Sequence, residues 1–336
     1  MKRTTEALLT ALLVYGCASE ISPSREELIE ALRLRAYRGE ITAEVISQSS
    51  RRDIIRERVE FQGRHDQRIP ALVAYSELAR ARPLPVLLCM PGSPNSKEDL
   101  IQPLDLLTTW AEEGFFVISI DRPYHGERDG NPEAAIRSKG LPRVLGEYVY
   151  DLGRTIDYVE TRPEADVSRL GMLGLSMGGM EALLLAAVDD RVDAVVSIAG
   201  QLSWEEVFAE GAWKLIFTGL PLTEQLLARQ ADGAEAHRAF LEITPDLRIV
   251  DAPGVAARIA PRPLLIMTGE EDPYVTPAGA LRTFRTARVS YEIANRSDAL
   301  AFWIEEGMGH GFSDAMRQRA LRWFQRWLVP LSEAPS

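Results

Sequence analysis

The sequence predicts an α/β architecture: a mostly parallel central sheet, helices on both faces and a small helical insertion. Short apolar runs alternate with longer helix-forming segments from residue 86 to residue 328, and parallel strands need crossover helices that cover the sheet. The 336 residues are 46% hydrophobic, which suffices for one large core plus a modest insertion. A serine flanked by glycines, Gly174-Leu-Ser176-Met-Gly178, stands where an apolar run meets a helix start.

Residues 1–17 read differently from the rest. Lys2 and Arg3 precede an apolar run over 7–16, too short to span a bilayer and long enough for the core of a signal peptide. Its ending, Leu13-Val-Tyr-Gly-Cys17, resembles a bacterial lipoprotein signal in which Cys17 becomes lipidated. On this reading the protein is tethered in the cell envelope and Cys89 is an inert core residue. Glu6 and Tyr15 count against it, and a short amphipathic helix on a cytoplasmic protein is the alternative.

Residues 18–53 read as a linker and an accessory helix, with Ser24 as N-cap before Arg25-Glu-Glu-Leu-Ile-Glu-Ala-Leu. The main domain is expected over 54–329. Alternating segments at 54–61 and 69–75 predict an antiparallel hairpin at the sheet edge, with His65 in its turn. Strands follow at 86–90, 115–120, 170–175, 194–198 and 264–268, and an apolar stretch covers 299–304. Helices are expected near 97–113, 145–160, after Ser176, and over 314–328.

More than sixty residues separate the strands at 194–198 and 264–268, too many for a simple connection. A cap insertion is expected at about 201–258. Trp204, Phe208, Trp213 and Phe217 fall on one helix face. They either pack against the body or, for Trp204 and Trp213, shape a substrate pocket. Residues 330–336 read as a frayed tail.

An abrupt strand-to-helix turn holds Ser176 in a strained conformation with its side chain clear of the sheet. The helix start offers unpaired N–H groups, and that of Met177 is placed to stabilise an oxyanion. A serine hydroxyl needs a neutral imidazole to take its proton and a carboxylate to orient that imidazole. The four histidines are His65, His125, His237 and His310, and the acid and histidine are expected after the serine in chain order. His237 sits in a polar, alanine-rich stretch. His310, in Glu306-Gly-Met-Gly-His310-Gly-Phe312, follows an apolar stretch and can reach across the carboxyl edge of a sheet.

The acid expected is Asp272, on the loop after 264–268 and directly before Pro273, with Glu270 and Glu271 beside it. A second oxyanion donor is expected from the loop Pro91-Gly92-Ser93-Pro94-Asn95, through the N–H of Ser93. His125 reads as a loop-organising residue. Arg122 and Arg128 pair with acidic neighbours or meet a substrate carboxylate.

With these pieces on the page, the chain resembles an α/β-hydrolase of the dienelactone hydrolase and acetyl xylan esterase type over roughly residues 54–329. The matching segments are Leu88-Cys-Met-Pro-Gly92, Asp121-Arg-Pro-Tyr-His-Gly126-Glu-Arg128, Gly174-Leu-Ser-Met-Gly-Gly179, Ile259 to Asp272 and Gly309-His-Gly311. The resemblance implies a Ser176–His310–Asp272 triad. One departure is Pro91-Gly92, where many relatives carry His-Gly.

Hydrolysis of a small-molecule carboxylic ester, with small acyl or acetyl groups favoured, is therefore the expected activity. The same triad would serve an amidase, peptidase, thioesterase or lactone hydrolase. The chain is short for the propeller domain of prolyl-oligopeptidase relatives, so cleavage of long peptides is not the first expectation. A catalytically idle envelope-anchored binding protein is the alternative from another class.

A net charge of −11 argues against nucleic acid as a partner. No histidine pair has metal-ligand spacing, and neither Cys-x-x-Cys nor a phosphate-cradling glycine loop occurs. No metal or cofactor is therefore expected. No motif fixes an oligomeric state.

Overall fold

The computed structural model describes residues 22–34, 39–64, 67–100 and 105–330. Among the described residues nine strands form one sheet: β1 (Ala43–Arg51), β2 (Ile54–Gln62), β3 (Arg68–Ser76), β4 (Leu84–Met90), β5 (Phe116–Ile120), β6 (Ala165–Leu175), β7 (Ala194–Ile198), β8 (Leu264–Gly269) and β9 (Leu300–Glu305). Their order is β1-β2-β3-β5-β4-β6-β7-β8-β9. The pairs β1/β2, β2/β3 and β3/β5 are antiparallel, and every pair from β4 and β5 through β9 is parallel.

The period-2 geometry of a strand divides the apolar residues between two cores. Along β8, Leu264 and Ile266 enter one core while Leu265 and Met267 enter the other. The first is covered by α4 (Leu141–Glu160), α5 (Met177–Val188), α10 (Ala252–Ile259) and α11 (Pro277–Ile293). The second is covered by α2 (Leu106–Glu112) and α12 (Asp314–Leu328), where Trp110 meets Phe324 edge-on at 6.1 Å. Burial on both faces explains why the central strands read as continuous apolar runs.

Ser24 caps α1 (Arg25–Ala31) with a complete capping box, as its sequence predicts. Leu28 and Leu32 are fully buried in the main core, and the Arg25 guanidinium donates to Val188 O. The segment is thus part of the domain rather than a tether beside it. Strand β1 had no forecast, because all nine of its residues are exposed and leave no apolar alternation to read. The expected hairpin forms as β2 and β3 but lies one strand inside the edge. A short helix α3 (Pro132–Lys139), with Asn131 as its N-cap, was also not anticipated.

Between β7 and α10 the chain makes an excursion through α6 (Trp204–Ala209), α7 (Trp213–Ile216), α8 (Pro221–Ala228) and α9 (Gly233–Ile243). Its ends are tied together: Ala252 N–H donates to Leu202 O at 3.2 Å, and Trp204 N–H donates to Asp251 Oδ1 at 2.9 Å. Helix α10 itself lies against the sheet layer, as the crossover into β8. No helix among the described residues is long and apolar enough to cross a membrane. Cys17, His65 and the tail 331–336 lie outside the described residues.

Candidate active site

Strand β6 ends at Leu175 and α5 begins at Met177, which leaves Ser176 alone at the bend with φ 56° and ψ −119°. A non-glycine residue there is strained, and the surroundings hold it. Ser176 N–H donates to Ile198 O at 2.8 Å, on the neighbouring strand. A Cβ on Gly174 would lie 2.0 Å from Gly178 C, and one on Gly178 would lie 2.4 Å from Met90 O. Only glycine at both places lets strand, helix and the loop after β4 converge on the bend. Met177 is the first residue of α5, so its N–H has no partner within the helix.

Asp272 lies three residues past the end of β8, and His310 five past the end of β9. His310 Nδ1 is 2.7 Å from Asp272 Oδ2. A carboxylate oxygen only accepts, so Nδ1 carries the proton and Nε2 presents a lone pair. Asp272 is 3% exposed and its Oδ1 accepts from the N–H groups of Tyr274 and Val275, each at 2.9 Å. Tyr274 lies against the His310 ring, 5.0 Å between centroids. Sequence reasoning passed over Tyr274, whose position two residues after Asp272 is the only signal.

The Glu270 carboxylate and the Glu271 backbone are engaged elsewhere. Glu270 Oε2 accepts from Gly307 N–H at 3.0 Å, and Glu271 N–H donates to Met308 O at 2.8 Å. They dock the histidine loop onto the acid loop, which leaves Asp272 as the carboxylate on the imidazole.

The loop after β4 runs beside the bend, where a Cβ on Gly92 would stand 3.2 Å from Ser176 Cβ and 3.8 Å from its Oγ. Ser93 is exposed, and its hydroxyl lies 3.0 Å from His125 Nε2. Behind it, the Arg122 guanidinium donates to Pro91 O and pairs with Glu181 of α5 at 2.9 Å. Both members of that pair are buried, and burial pushes the Glu181 carboxyl up while Arg122 opposes it. Arg128 pairs with buried Asp151. Neither arginine waits for a substrate carboxylate.

Two expectations for the insertion need correction. Trp204 is 1% exposed and Trp213 0%, so neither indole offers surface to a ligand. They belong to the insertion's own aromatic core: Trp204 stacks obliquely on Phe240 at 5.3 Å and donates Nε1–H to Leu247 O, while Trp213 stacks on Phe208 at 5.7 Å. Indoles fill such a core because they bury the most area per side chain. His237 also stacks on Phe208, 5.5 Å away, as part of the insertion. A cavity of about 500 Å³, lined by Arg25, Arg154, Asp157, Asp189 and Arg191, touches none of Ser176, Asp272 or His310.

Fold and site together define an α/β-hydrolase. The chain belongs to the prolyl oligopeptidase family, whose profile matches residues 107–331. It is 26% identical over 265 residues to a Bacillus subtilis (strain 168) protein described as "Putative esterase YitV", covering 77% of this chain and 96% of that one. A second protein of that organism, described as "Putative hydrolase YtaP", is 25% identical over 241 residues, 69% of this chain and 73% of its own length. Among solved structures, an acetyl xylan esterase from Paenibacillus sp. R4 shares the fold with a TM-score of 0.65 at 16% identity, over 93% of this chain and 98% of that one.

Proposed function

We propose that the protein hydrolyses carboxylic esters, small acyl groups such as acetyl foremost, through an acyl-enzyme formed on Ser176. The observation that carries this is the Asp272–His310 hydrogen bond at 2.7 Å, at the same sheet edge as the bend holding Ser176. His310 Nε2 takes the hydroxyl proton as Ser176 Oγ bonds to the carbonyl carbon. The carbonyl oxygen becomes an oxyanion facing the N–H groups of Met177 and Ser93. Collapse breaks the C–O bond to the alcohol, which leaves with the proton from His310. A water then gives its proton to His310, attacks the acyl carbon and releases the acid, and Ser176 regains its proton. The 26% identical relative described as an esterase supports the ester over other acyl bonds.

Peptide or amide cleavage is the second reading, favoured by membership of the prolyl oligopeptidase family. Hydrolysis of p-nitrophenyl esters from acetate to octanoate, alongside peptide p-nitroanilides, separates the two. Ester turnover that falls with acyl length and vanishes in Ser176→Ala is expected. Turnover of anilides alone would replace the ester reading, and a folded wild type that takes no fluorophosphonate label would favour a binding protein. Tethering through Cys17 is a separate proposal, tested by whether Cys17→Ala moves the protein out of the membrane fraction.

A further inference from the structure

We infer that His125 is a positioning residue for the reaction, fixing the oxyanion loop through the hydroxyl of Ser93; this rests on the Ser176 hydrolase reading above. His125 Nδ1 lies 2.9 Å from Pro123 O. A carbonyl cannot donate, so Nδ1 bears the proton and Nε2 is an acceptor. The Ser93 hydroxyl, 3.0 Å away, therefore donates to Nε2. One hydrogen bond thus orients the side chain of the residue whose backbone N–H faces the substrate oxygen.

The imidazole is itself immobile. It is 5% exposed and meets Tyr148 edge-on at 6.0 Å. The same segment grips the loop at both ends: Arg122 donates to Pro91 O, and Asp121 accepts from both Lys97 N–H at 2.9 Å and Lys97 Nζ at 2.6 Å. Between those anchors lie Gly92, which packs beside Ser176, and Ser93, which bonds to His125. Arg122 also pairs with Glu181 on α5, so loop and nucleophile helix share one buried support.

The pair resembles a second nucleophile and base, but its surroundings oppose that use. Burial, then Arg122, hold the His125 pKa below its ordinary value, against the Pro123 carbonyl and Asp121. An imidazolium formed there would face the Arg122 guanidinium with no carboxylate on Nδ1. His310 has Asp272 in that place. A neutral, fixed acceptor is the role that suits His125.

The test compares p-nitrophenyl acetate kinetics and thermal midpoints for the full chain as wild type, His125→Ala, His125→Gln, Ser93→Ala and the double alanine variant. His125→Ala is expected to lower kcat by about ten- to a hundredfold, approaching the loss of one oxyanion donor, with KM within about twofold. Ser93→Ala should fall in the same direction, the double variant no further than the worse single, and His125→Gln, whose amide oxygen can accept, should recover most of kcat. Should His125→Ala fail to fold, Ser93→Ala decides, since that side chain is exposed.

A lowered midpoint with unchanged kcat in the folded singles would overturn the inference and leave ester hydrolysis standing. So would a fluorophosphonate label on Ser93 in Ser176→Ala, which would make Ser93 a nucleophile. A wild type that neither turns over ester nor labels at Ser176 removes the hydrolase reading, and the inference with it.

Discussion

His310 Nδ1 stands 2.7 Å from Asp272 Oδ2, while the other oxygen of that carboxylate is held by the N–H groups of Tyr274 and Val275. The carboxylate cannot rotate without giving up two backbone bonds, so the imidazole has one orientation and one tautomer. Asp272→Asn places an amide where only an acceptor serves the Nδ1 proton. We expect kcat on p-nitrophenyl acetate to fall by about 10⁴, with a thermal midpoint within a few degrees of wild type. A loss below about tenfold would mean that another carboxylate orients His310.

Ser176 stores strain that glycine would not. At φ 56° and ψ −119° a side chain is disfavoured by about 1–3 kcal/mol, partly offset by the larger unfolded-state entropy of glycine. Ser176→Gly is therefore expected to be more stable than Ser176→Ala by about 1 kcal/mol in urea titrations, with both inactive. Equal stabilities would place the strain elsewhere.

Trp204 and Trp213 are buried in the aromatic core of the insertion, so we expect them to carry stability and not substrate choice. Trp204→Ala and Trp213→Ala should each destabilise by about 3–5 kcal/mol at sites that cannot collapse. Where the variants remain folded, the ranking of acyl chain lengths should match wild type. A changed ranking would return these residues to the substrate pocket.

Asp251, which holds the two ends of the insertion, has its carboxyl pushed up to about 7 by burial, against the Trp204 N–H bond and Arg282, with Glu205 adding to the rise. The folded state therefore keeps this proton where the unfolded chain has lost it. Its contribution to stability is complete below about pH 4 and lost as pH climbs through 7. Asp251→Asn keeps the oxygen that accepts from Trp204 and removes the titration. We expect the variant to gain on wild type, by up to about 4 kcal/mol, between pH 4 and pH 8 in chemical denaturation. Parallel curves across that range would count against a raised Asp251.

Most of the sheet was legible because its central strands are buried on both faces, and β4 to β9 all coincide with apolar runs. β1 was not, since its nine residues are all exposed among the described residues and show no apolar alternation. At the site, Ser176, Asp272 and His310 could be read from local context: a glycine-flanked bend and two loops at strand ends. Chain order set His125 aside as a base, and its bond to Ser93 links positions 32 residues apart with no periodicity to announce it. Spacing predicts one helix face for the aromatic residues of the insertion, whereas the chain breaks at Gly211 into α6 and α7, and spacing does not say whether such residues meet substrate or their own core. Burial decided that for Trp204 and Trp213.

The joined ends of the insertion have an evolutionary consequence. Because Leu202 and Ala252 are within one backbone hydrogen bond, residues 203–251 leave the crossover between β7 and β8 and return to it at nearly the same point. A replacement of different length or composition could be grafted there without moving either strand or the Ser176 bend. The fold thus carries an exchangeable cassette, and lineages can diversify it while inheriting the Ser176 bend unchanged.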